Sequence, residues 1–155
     1  MQARMKEHQL PEAEINEVLS TAKVGHIGTI NSEGFPYVLP VHFVYADKKF
    51  YIHGLNKGTK IDNLTKNPKV CLEVADMLGL IMNEAACDVN TEYKSVVALG
   101  TAKMVADDAK KKEILSLIVD KYTPTLSGQQ FPDEMLIATG IIEISVEKIT
   151  GKFYK

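Results

Sequence analysis

The chain has no tryptophan and only two cysteines among its 155 residues, Cys71 and Cys87. These form no Cys-x-x-Cys pair, so neither a zinc ribbon nor a disulfide framework is expected. Cys71 falls in an apolar strand pattern and is expected as a small core residue; Cys87, in a less regular stretch, is a candidate for the surface. No run of 18 apolar residues exists, which predicts no membrane span. The segment from Met1 to Leu10 carries Arg4, Lys6, Glu7 and His8 and lacks an apolar signal core, so the chain reads as cytoplasmic. There is no basic excess: the formal net charge of −2 argues against a nucleic-acid surface. A local basic pocket for one phosphate stays open. GxSxG, Walker A and GxGxxG motifs are all missing, which excludes the sequence-visible forms of hydrolase, P-loop enzyme and Rossmann dehydrogenase. His26, His42 and His53 have no carboxylate or cysteine partner at ligand spacing, so no metal site is expected.

What remains is an ordinary globular composition, 45% hydrophobic and 25% charged. A chain of this length suits one domain over residues 1–155, burying roughly 70% of the surface it would otherwise expose. Ile15, Val18, Leu19 and Ala22 recur at helical spacing, with Pro11 at the start, and predict a helix from Pro11 to Ala22. The period then changes to two. Val24 to Ile30 predicts a strand, Asn31 to Gly34 a turn, and Phe35 to Ala46 one long strand. In that strand Tyr37, Leu39, Val41, Phe43 and Tyr45 share a face. A turn at Asp47 to Lys49 leads to a strand from Phe50 to His53. A short helix from Thr59 to Lys66 is stopped by Asn67-Pro68. Strands follow over Val70 to Ala75 and Tyr93 to Val105, with Gly100 as a bend or bulge. Asp76 to Glu92 shows no winning period. Asp107-Asp108 caps a helix to about Tyr122, with Ala109, Ile114, Leu117, Ile118 and Lys121 inward. Thr123 to Asp133 reads as loop and Ile141 to Ile149 as the last strand. Six strands with peripheral helices predict a mostly β fold closed into a barrel, since closure removes exposed edges.

The run Gly34-Phe-Pro-Tyr-Val-Leu-Pro-Val-His-Phe-Val-Tyr45, then Phe50-Tyr-Ile-His-Gly54 and Gly58-Thr-Lys60, resembles the pyridoxamine 5′-phosphate oxidase-like flavin-binding split barrels. Within them it looks most like the nitroimidazole-reductase (Nim-type) branch. Asn67-Pro-Lys-Val-Cys71, Tyr93-Lys-Ser-Val-Val97 and Ile149-Thr-Gly-Lys152 extend the match. The resemblance implies a six-stranded antiparallel split β-barrel that forms a homodimer with FMN at the subunit interface. It places Leu39, Pro40 and Val41 along the isoalloxazine and His53 and Gly54 near the ring. Gly58, Thr59 and Lys60 hold the phosphate, with Lys57 as a second charge, and Tyr93, Lys94 and Ser95 make further flavin contacts. The C-terminal tryptophan and arginine of true pyridoxamine phosphate oxidases have no counterpart, which speaks against vitamin B6 oxidation.

Elementary chemistry gives these residues two readings each. Gly58-Thr59-Lys60 opening a helix suits a phosphate through backbone amides, a hydroxyl and a cation; it also suits a plain helix start with a solvated lysine. Pro40 cannot donate to a ladder and marks an edge or a break, with or without a ligand beside it. His53 is a structural strand histidine or, beside a flavin, a proton donor; it ranks ahead of His42 and His26. The expected activity is FMN-dependent reduction of a small organic acceptor, such as a nitroaromatic, with electrons from NAD(P)H or a protein donor. The alternatives are a flavin-binding, storage or sensor module without turnover, and a barrel that binds haem or a deazaflavin.

Overall fold

In the computed structural model, which describes residues 6–155, the period-two segments become a seven-stranded antiparallel sheet. Helix α1 (Glu12–Thr21) starts one residue after Pro11 and buries Ile15, Val18 and Leu19, the apolar stripe its spacing predicts. Next come β1 (Gly25–Ile30), β2 (Pro36–Val41), β3 (Phe43–Ala46) and β4 (Lys49–Leu55). Helix α2 (Thr59–Lys66) separates these from β5 (Lys69–Ile81) and β6 (Asn90–Met104). Helix α3 (Asp108–Tyr122), the short α4 (Asp133–Ala138) and β7 (Thr139–Tyr154) complete the chain. Among the described residues no helix is long and apolar enough to cross a membrane. The reading of the N-terminal segment rests partly on Arg4, which lies outside the described residues.

The strand order is β2-β1-β5-β6-β7-β4-β3. The two end strands, β2 and β3, are consecutive in sequence with only His42 between them. One residue therefore joins the two edges of the sheet and closes the barrel. The predicted single strand over 35–46 is two strands because the ladder changes partner at this point. Val41 faces Gly25 of β1, whereas Phe43 faces Ile52 of β4. The alternation survives the break: Val41 and Phe43 are both buried and His42 is exposed.

Inside the barrel Ile27, Phe43, Phe50, Ile52, Leu72, Val74, Val96 and Ile144 form the main core, which α1 and Leu64 of α2 cover. A second cluster lies on the other face of β3, β4 and β7, where Ile114 and Ile118 of α3 pack on Val44, Tyr51 and Ile141. Gly100 sits at a register shift of the β6–β7 ladder, and the Ser145 carbonyl oxygen stands where a Cβ would project. That accounts for the predicted bend.

Four expectations need correction. Cys71 is not a core residue: Val70, Leu72 and Val74 take the inner face of β5, and parity turns Cys71 outward, partly exposed. Ala109 is exposed, because the α3 stripe begins at Ile114. The segment 76–92 is the far half of a hairpin. β5 and β6 remain paired out to Ile81 and Asn90, with a bulge between Met77 and Gly79. Helix α4 occupies part of the stretch expected to lead directly from loop to strand, and β7 runs from Thr139 to Tyr154, well beyond Ile141 to Ile149.

Candidate functional site

On β4, Phe50 and Ile52 point into the barrel, so Tyr51 and His53 point outward, toward the side that α3 covers. Tyr51 is buried under α3, whereas His53 lies beyond its main contact and is half-buried. The chain break places His42 on the same outer face, with its ring centroid 6.1 Å from that of His53. His42 also stacks on Tyr122, with ring centroids 4.3 Å apart. The Nδ1 atom of His53 is buried and has no hydrogen-bond partner among the described residues. Burial first, and then the nearby charges of His42 and Lys60, hold His53 below the ordinary histidine range. It is therefore neutral at pH 7. As a proton source it must first take up a proton, which it then gives up more readily than free imidazole.

The third member arrives from α2. Gly58 adopts φ +112°, a conformation glycine reaches freely, and turns the chain into the helix. The first backward bond of that helix runs from the Asp62 amide to the Gly58 carbonyl. The amides of Thr59, Lys60 and Ile61 consequently have no acceptor within the helix. Lys60 leans back over β4, and a Cβ built on Gly54 would stand 3.7 Å from its Nζ. Among the described residues no carboxylate pairs with Lys60, and burial lowers its pKa. Lys60 is thus a half-buried cation at the start of a helix, a setting in which negative charge is favoured. Helix α2 is itself fixed from below, where the buried Asn63 donates to Thr29 Oγ1 at 3.0 Å.

The structure thus gathers His53, Gly54, Gly58, Thr59 and Lys60, whereas Val41, the sequence neighbour of His42, packs in the barrel core. Leu39 packs against the core, Pro40 is exposed on the end strand β2, and Lys57 is exposed in the loop before α2. Tyr93, Lys94 and Ser95 are elsewhere. They face Tyr154, Phe153 and Lys152 at the far end of β7, whereas His53 and Gly54 face Ile141 and Gly140 at its start. At about 3.3 Å per residue the two groups lie roughly 35 Å apart along that strand. Lys94 directs its charge to Glu14 at 3.1 Å and Glu17 at 3.7 Å on α1. His26 pairs with Glu73 at 3.2 Å, on the rim of a separate groove of about 550 Å³ floored by Val38, Cys71 and Leu99. Among the described residues no three histidine, cysteine or acidic side chains gather to hold a metal ion.

In the sequence His42 stands behind His53 together with His26, and nothing singles out Tyr122. The histidines are neighbours in space because the strand breaks between them, and Tyr122 arrives from 79 positions away. Neither fact leaves a local signal.

The fold that carries this corner has counterparts among known proteins. A model of the pyridoxamine 5′-phosphate oxidase family matches residues 11–153. The chain belongs to that flavin-binding family. Among solved structures, a candidate 5-nitroimidazole antibiotic resistance protein from Bacteroides thetaiotaomicron is similar, with 26% identity and a TM-score of 0.79 over 93% of this chain and 85% of that one. The flavocytochrome Anf3 from Azotobacter vinelandii has the same fold, at 24% identity and a TM-score of 0.87 over 100% of this chain and 72% of that one. An FAD and haem binding protein from Mycobacterium smegmatis has it too, at 18% identity and 0.86 over 96% and 74%. No curated protein matches. Family membership accounts for the split-barrel architecture.

Proposed function

We propose that the chain is one FMN-binding domain that works as a homodimer and reduces a small organic acceptor of the nitroaromatic kind, drawing electrons from NAD(P)H or a protein donor. The observation that carries this reading is Lys60: half-buried, unpaired by any carboxylate among the described residues, and set at the start of α2 beside Gly54 and His53. Lys60, the Thr59 hydroxyl and the free first-turn amides hold the phosphate, with Lys57 close enough in sequence to add a second charge. Leu39, Pro40 and Val41 provide the strand along which the ring lies. The orphaned Nδ1 of His53 is a polar contact awaiting a partner at the ring edge, and a neutral imidazole at that place takes up and releases a proton. The bound flavin supplies the electron transfer itself.

The separation of the two residue groups supports the dimer. If Tyr93, Lys94 and Ser95 contact the same flavin as Lys60, roughly 35 Å along β7 puts them out of reach within one protomer. The second set then comes from the partner. The relative named for nitroimidazole resistance supports the acceptor class.

The test is an absorbance spectrum of the purified protein with and without FMN, followed by NAD(P)H under anaerobic conditions. Bands near roughly 375 and 450 nm, as oxidised flavins show, that bleach with NAD(P)H support the oxidoreductase. Bands that do not bleach with NAD(P)H or with a reduced protein donor point to a storage or sensor module. A haem spectrum, which the His42–His53 pair and the two haem-associated folds make a concrete second reading, or a deazaflavin spectrum would replace the cofactor.

A further inference from the structure

Tyr122 is the last residue of α3, and its hydroxyl makes two hydrogen bonds to one residue. It accepts from the Phe43 amide at 2.9 Å and donates to the Phe43 carbonyl at 3.0 Å. Phe43 is the first residue of β3, an end strand of the sheet, so these two groups point away from β4 and have no strand to meet. A hydroxyl, which donates and accepts at once, replaces that missing strand with a single atom. Burial raises the Tyr122 phenol, although the bond to Phe43 lowers it, and the net upward shift keeps the donor proton in place.

The same side chain has a second contact. Its ring stacks on His42, with an interplanar angle of 20°, while the His42 ring centre also lies 6.1 Å from that of His53. The end of α3 that carries it is fixed from both sides. Lys121 Nζ donates to the Leu19 carbonyl at 2.9 Å and lies 3.8 Å from the centre of the Phe43 ring, and Lys23 Nζ donates to the Lys121 carbonyl at 2.7 Å. Lys121 of α3 thus caps the C-terminal end of α1, and Lys23, two residues past α1, caps that of α3, where carbonyls lack partners. His42 has no ladder partner of its own to hold it. Its ring is placed by what stacks on it and by the backbone one residue on, and Tyr122 controls both.

We propose that Tyr122 is a positioning residue of the site: by stacking on His42 and bridging the backbone of Phe43, it sets the His42 imidazole beside His53. In the proposed flavin enzyme, on which the functional weight of this inference rests, the imidazole pair then meets the flavin in one fixed arrangement. The charged groups that face His53 are His42 from the strand break and Lys60 from α2. Tyr122 acts on the first and leaves the second alone.

The test is made on the full chain without flavin, so that failure to bind flavin, which would sink the proposed function, leaves it intact. Histidine C–H signals are followed by NMR against pH in wild type, His42→Asn, Tyr122→Phe and the double variant. Tyr122→Phe keeps the ring and removes only the bridging hydroxyl. In wild type His53 takes up its proton below the ordinary histidine range. His42→Asn removes the neighbouring imidazole, and the His53 curve moves up. Tyr122→Phe moves it in the same direction, and the double variant goes no further than His42→Asn alone, as expected of residues acting through one contact. A His53 curve that stays at its wild-type position in Tyr122→Phe overturns the proposal. So does one that stays there in His42→Asn.

Discussion

At the scale of single residues, the site is a set of groups whose ordinary partners have been withheld. Among the described residues, Lys60 is a cation without a carboxylate, and His53 has a ring nitrogen without an acceptor or donor. Replacing Lys60 with alanine should weaken FMN binding by about 1.5–3 kcal/mol, the worth of a charge-assisted hydrogen bond. Titration by flavin fluorescence checks this, and unchanged affinity would remove Lys60 from the phosphate site. Replacing His53 with alanine should cost less than about 1 kcal/mol of stability, since the side chain is half-buried and makes no hydrogen bond, while lowering reductive turnover. Urea unfolding and stopped-flow reduction measure the two effects separately. The depressed pKa of His53 also has a sign in stability. Above about 6.5 the imidazole is neutral in both folded and unfolded chains. As pH falls below that value the unfolded chain takes up the proton first, and stability declines until the folded value is passed. The urea midpoint should therefore drop between pH 7.5 and 5 in wild type, and less steeply in His53→Gln.

Elements bring these residues together, and here sequence and structure can be compared. Helix α2 was legible to the residue because Gly58 opens it and Asn67-Pro68 ends it, both local facts. What orients Lys60, however, is the buried bond from Asn63 to Thr29, 34 positions away. Replacing Asn63 with alanine leaves the Thr29 hydroxyl without that donor and should cost about 1–3 kcal/mol, read as a lower urea midpoint together with weaker flavin binding. The alternation over 35–46 was legible, and the break at His42 was not, because side chains keep their faces while only the pairing partner changes. Residues 76–92 carried no period because neither side of that hairpin is covered: Met77, Leu78, Leu80 and Met82 are all exposed. Cys71 was misplaced because an apolar segment was read as core without asking which parity the larger neighbours occupied. Helix α4, six residues long, is too short for a helical period to show.

At the scale of the molecule, the exposed hairpin adjoins a further uncovered surface, where Ile30, Val38 and Leu99 line the groove on the outer face of the sheet. A solitary protomer would present both to water, and apolar patches of this kind mark interaction sites. Under the proposed homodimer a second copy covers them. Sedimentation should then give twice the chain mass, and Leu99→Arg should shift the protein toward monomer and release flavin together. A monomeric wild-type protein that holds flavin tightly would sink the interface reading.

The closure of the sheet at His42 has one more consequence, in time. The hairpins can form as the chain emerges, but the corner needs Tyr122 against Phe43, 79 positions apart, and β7 against β4. Such distant pairings are the slow ones. A polypeptide halted before residue 139 already contains His42, His53 and Lys60 yet has no β7 behind them, so it would not grip the cofactor. Under the proposed function, the yellow colour of a preparation would therefore count closed molecules: the flavin would be retained only by chains that carry β7 and have shut their seam.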